Sequence, residues 1–90
     1  LTLEGPATLY EVAALRESFR AAMAGGPGLR LELGGSTRWD LAGLQLLISC
    51  EKTARERGGR LVLAGVPPAC AEAARRAGLS DWLEAATRAD

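Results

Sequence analysis

The chain has 90 residues, 48% of them hydrophobic and only 4% aromatic, and its eleven basic and eleven acidic side chains cancel. That composition suits one small domain, residues 1–90, around an aliphatic core, and leaves no long-range field to gather nucleic acid or an anionic membrane surface. Histidine is absent, which removes the commonest general base and the commonest metal ligand.

Leu1-Thr2-Leu3-Glu4 alternates apolar and polar residues and stops at Gly5-Pro6, which predicts a short strand ended by proline. Thr8-Leu9-Tyr10-Glu11 has the form of a capping box, with Thr8 as the cap and Glu11 reaching back to its amide. Val12, Leu15, Phe19, Ala22 and Met23 follow at helical spacing and predict a core-facing stripe, with Arg16, Glu17 and Arg20 on the wet side. Gly25-Gly26-Pro27-Gly28 ends that helix. Leu29, Leu31 and Leu33 alternate with Arg30 and Glu32, a strand with one buried face. Strand, helix and strand make a β-α-β unit with a right-handed crossover, and residues 34–39 form the loop leading on.

The next stretch organises the rest. Asp40-Leu41-Ala42-Gly43-Leu44 stands before Gln45-Leu46-Leu47-Ile48, and an aspartate in front of an apolar helical run is a good N-cap, placed at the positive end of the helix dipole. Gly43 in the first turn allows another backbone or a partner protein to come close. The helix is expected from Leu41 to about Arg57, ending at Gly58-Gly59, with Glu51 and Arg55 spaced to pair. Its arc of Leu44, Leu46, Leu47, Ile48, Cys50 and Ala54 is wider than one stripe requires, so a neighbouring helix or a partner must cover part of it. Residues 60–65, Arg-Leu-Val-Leu-Ala-Gly, predict a strand covered on both faces. Pro67-Pro68 opens a short helix that Gly78 closes, and Ser80 caps a last amphipathic piece carrying Trp82 and Leu83.

Catalytic chemistry finds little support in these residues. Ser18, Ser36, Ser49 and Ser80 have no histidine base, and a Ser49–Lys52 pair is better read as a solvated helix face. Glu4, Glu32 and Asp40 are not spaced to work as paired carboxylates, and no glycine-rich segment ends in the Lys-Ser/Thr of a phosphate loop. Cys50 and Cys70 lack metal-ligand spacing and read as small buried apolar residues of a reducing cytosol. No run approaches the ~20 apolar residues of a membrane span, and no secretory leader pattern is present. Arg55, Arg57, Arg60, Arg75 and Arg76 read as a solvated face, not a nucleic-acid groove. Trp39, beside Arg38 and the helix start, has two readings: a protein-binding hot spot, or a plug at the end of a small core.

The order of elements, with Asp40, Gly43 and Leu44, the run Glu56-Arg57-Gly58-Gly59-Arg60-Leu61-Val62-Leu63, and Gly78-Leu79, resembles the STAS family. That family includes bacterial anti-anti-sigma factors and the cytosolic ends of sulfate transporters. The resemblance implies an α/β STAS fold, a four- or five-stranded mixed sheet with helices packed mainly on one face, whose first strand would precede Leu1 here. It implies a non-catalytic, cytoplasmic protein-binding module with no cofactor and no direct membrane insertion. In phosphoregulated members the motif is Asp-Ser-Ser-Gly-Leu, and a kinase-type anti-sigma factor phosphorylates the second serine. Here Leu41 and Ala42 take the serine positions, so the acceptor is missing and the off-switch with it. Ser36 and Thr37 are poor substitutes because of their offset. The resemblance implies a partner face of Trp39, Asp40, Leu41, Ala42, Gly43, Leu44 and Gln45. The partner would be an anti-sigma factor of serine-kinase type. The alternative is the ATPase of an ABC-type lipid-asymmetry transporter, whose STAS subunit also carries Ala-Gly-Leu here.

Overall fold

The computed structural model describes residues 1–87. Its strands are β1 (Thr2–Glu4), β2 (Leu29–Gly35) and β3 (Leu61–Ala64), all parallel and adjacent in sequence order. Between and after them come α1 (Val12–Met23), α2 (Leu41–Glu56), α3 (Pro68–Arg76) and α4 (Ser80–Thr87). Strands laid down in order and joined by right-handed crossovers put successive crossover helices on the same face. The burial agrees: Leu3, Leu29, Leu31, Leu33, Leu61 and Leu63 are buried, while Thr2, Glu4 and Arg30 are exposed.

One expectation about the sheet changes. The apolar run in β3 is covered on one face, since Val62 and Ala64 are only half-buried. Their registered neighbours on β2 are Arg30 and Glu32, side chains whose aliphatic stems can lie along apolar surface. Arg30 also donates to Glu32 across that face at 3.1 Å. The described residues supply three strands, all parallel, of the four- or five-stranded mixed sheet that the family resemblance implies.

The broad apolar arc of α2 is explained inside the fold. Leu44, Leu47 and Ala54 have no exposed surface, and α2 packs against α1, α3 and β3. Phe19 and Met23 close the core from α1, Cys70 and Ala74 from α3, and Leu83 and Ala86 from α4. Trp82 donates from its indole to Glu51 at 3.1 Å and ties α4 to α2. At the far end of α2, Gly58 has φ +84. Its amide reaches Arg55 O at 3.0 Å and the Gly59 amide reaches Ala54 O at 2.9 Å, the paired bonds that satisfy orphan carbonyls at a helix end. Both cysteines are free and buried, and burial pushes each thiol up to about 11.

The capping box is altered. Helix α1 begins at Val12, with Glu11 in the cap position and no side-chain cap bond. Glu11 does reach back to the Thr8 amide, at 2.8 Å, but the Thr8 hydroxyl donates to the same carboxylate at 2.6 Å instead of accepting from the Glu11 amide. Residues 8–11 thus form a turn ahead of the helix, and Leu9 and Tyr10 lie on its outside. At α4, Ser80 is the first helical residue, and the Leu79 carbonyl accepts the first bond, from Leu83 at 2.9 Å.

Candidate protein-binding surface

The loop after β2 and the segment after β1 are laced together. Gly5 N donates to Gly35 O at 3.1 Å, the Ser36 hydroxyl to Gly5 O at 2.8 Å, and Ala7 N to Arg38 O at 2.8 Å. Ala7 and Trp39 form an isolated parallel bridge. The pairing of β1 with β2 therefore continues, irregularly, past both strands to the carboxyl end of the sheet. Ser36 is fully buried in this lacing and Thr37 is exposed.

Asp40 completes it. One carboxylate oxygen accepts from Gly43 N at 3.1 Å, the N-cap bond of α2, and the other accepts from Leu9 N at 2.9 Å. A single side chain thereby fixes the start of α2 and the turn before α1 relative to each other.

Gly43 is buried, and a Cβ placed there would lie 2.2 Å from Ala7 O and 3.0 Å from the Trp39 ring. The close approach that its missing side chain allows is made by the protein's own backbone. Leu44 has no exposed surface. These two residues back the surface from beneath, and a partner contact by Leu44 itself is incompatible with its burial.

What faces outward is Leu41, 51% exposed, with Gln45 exposed beside it and Ala42 half-buried between them. The sequence reading missed Leu9 and Tyr10, which are 65% and 92% exposed. The capping-box pattern had placed them in the first turn of a helix. The available signal covers Tyr10 alone, which lies off the apolar stripe running from Val12; Leu9 stands three residues before Val12 and continues the stripe, so its exposure was not readable.

Trp39 is half-buried, packed on the core, and its buried indole N–H has no hydrogen-bond partner among the described residues. The ring thus packs on the end of the core while part of it stays exposed. Trp39 and Asp40 form a shared wall between two depressions. One is lined also by Pro6, Thr8, Tyr10 and Arg38; the other by Leu41, Ala69, Ala73 and Ala77. Ala69 and Ala73 on α3 and Ala77 at its C-cap, spaced four apart, leave that second floor low. Glu72 and Arg76 rim it, and hydrogen bonding from Arg75 and then Arg76 holds the Glu72 carboxyl below its ordinary value. Among the described residues no group of histidine, cysteine and carboxylate side chains is arranged to hold a metal, and no helix is long and apolar enough to cross a membrane.

This is a surface of apolar projections and shallow recesses around a rigid helix start, with no nucleophile–base pair in it. The fold and the Asp40 turn define a small α/β domain, a parallel sheet covered by helices with a capped helix start at its carboxyl end. A family model described as "Mlab, STAS domain" matches residues 1–85, and the chain belongs to the STAS family. A comparison with curated proteins finds no match.

Proposed function

We propose that this domain is a stoichiometric protein-binding module of the anti-sigma-factor-antagonist type, which docks through the start of α2 and is not switched by phosphorylation there. Support comes from one juxtaposition: exposed Leu41, at the helix start, lies where the family places its phosphoacceptor motif, with Ala42 in the acceptor position. A partner's side chain would sit between Leu41 and the alanines of α3, with Trp39 supplying rim area and Gln45 a polar contact. Leu9 and Tyr10 extend the apolar area on the other side of Asp40.

The size of that extension favours a second reading, a permanent subunit on an ABC-type transporter ATPase. Large exposed apolar groups are characteristic of lasting interfaces. Capture of partners from source-cell lysate, with Ala42→Glu as the control, tests both. A glutamate in the first turn suits the helix dipole, so the variant folds, while its charge occupies the contact. Binding falls more than tenfold in the variant under either reading. Recovery of a kinase-type or sigma-binding protein establishes the antagonist, and recovery of an ATPase with its permease establishes the subunit. Unchanged recovery in Ala42→Glu moves the interface elsewhere.

A further inference from the structure

A separate groove runs between α1 and α2, away from the Asp40 turn. Its walls carry Arg16 and Arg20 from α1, Ser49 and Thr53 from α2, and Arg57 just beyond α2, over a floor that includes Phe19 and Met23. No acidic residue lines it. Neither Arg16 nor Arg57 has a carboxylate partner among the described residues, and Arg20 meets only Glu17, at 3.4 Å on the exposed side. In a chain whose charges balance, three exposed arginines border one groove, and of them only Arg20 has a carboxylate partner among the described residues. Helix-dipole complementarity accounts for Arg20 and Arg57, near the helix ends. It does not account for Arg16, in the first half of α1, nor for two hydroxyls one helical turn apart opening on the same space.

We propose that this groove binds a small phosphate monoester. A phosphate carries about −1.5 to −2 charge and three strong acceptor oxygens, which matches forked guanidinium donors and two hydroxyls better than a singly charged carboxylate does. The groove's volume of about 120 Å³ is well above the roughly 10–15 Å³ needed to hold one water. That accommodates a phosphate and a short organic stub, whose carbons would rest on Phe19 and Met23.

The test is NMR titration of the labelled domain with inorganic phosphate and with glycerol 3-phosphate, beside sedimentation with phosphatidic acid vesicles. Saturable shifts confined to the Ser49, Thr53 and Arg57 amides, weakened at least tenfold by combined Arg16→Gln and Arg57→Gln, are expected. Vesicle binding lost in the same variant would identify the monoester as a lipid headgroup, and binding of the soluble ester alone would identify a metabolite. The proposal is overturned by an absence of saturable shifts up to ~10 mM ligand, a concentration that would half-fill a site of about −2.7 kcal/mol. It is equally overturned by shifts that persist in the double variant or spread to Arg75 and Arg76. A folded spectrum of the variant separates a lost site from a lost fold. Because none of these residues belongs to the Leu41 surface, either proposal can fail without the other.

Discussion

Asp40 divides its two carboxylate oxygens between different segments, so its replacements should be graded. Asp40→Asn retains one acceptor oxygen and loses one of the two bonds. Asp40→Ala loses both and should cost about 2 kcal/mol, the upper end for an N-cap, against about 1 for Asn. Urea denaturation followed by circular dichroism checks the order; equal costs would mean that the bond asparagine retains contributes nothing. Gly43 offers a sharper case. An alanine Cβ would meet the Ala7 carbonyl at 2.2 Å, a backbone atom that cannot rotate away, so Gly43→Ala should destabilise by about 3 kcal/mol. A midpoint within experimental error of the wild type would refute that packing. The sequence suggested that Gly43 admits a backbone or a partner; nothing in one dimension says that Ala7 is the occupant, because the contact joins residues 36 positions apart.

At the scale of elements, α2 was the most legible. Asp40 as cap, Leu41 as first residue and an end within a residue of Arg57 were all readable, since capping and glycine termination are local chemistry. Alternation makes β1 and β2 readable and a short apolar run makes β3 so, and β2 and β3 pair in register from Leu29 opposite Leu61. The start of α1 was not. The sequence carries the capping-box residues, but the Leu9 amide is claimed by Asp40 from another segment, and this long-range bond holds residues 8–11 as a turn. For the same reason Leu9 and Tyr10 were missed as surface residues, while Leu44, apolar and adjacent to the motif, was assigned outward and proves to be core. Replacing Leu41 and Leu44 separates the two sides of the helix. Leu41→Gln should leave stability within about 0.5 kcal/mol and lower partner affinity, whereas Leu44→Ala should cost about 2–5 kcal/mol. Thermal melts with pull-down on the same samples read both, and a Leu41→Gln protein that melts early would place that residue inside the core.

For the whole molecule, the two thiols set the response to alkali. Burial raises each from 9.0 to about 11, so between those values the unfolded chain has released protons that the folded one retains. Stability contributed by the neutral thiols is complete below pH 9 and is lost as pH rises toward 11. The denaturation midpoint should therefore fall over that window, and less steeply in a Cys50→Ala, Cys70→Ala protein. Slow alkylation of the native protein and fast alkylation in urea would accompany it. Parallel slopes for the two proteins would refute the assignment.

The clamp by which one carboxylate holds both the Leu9 turn and the start of α2 also bears on kinetics. A surface already fixed before encounter has little ordering entropy to lose when a partner arrives. Association should then be a single collision-limited step without a slow conformational phase, so that changes at Leu41 or Tyr10 alter how long the complex lasts far more than how quickly it forms.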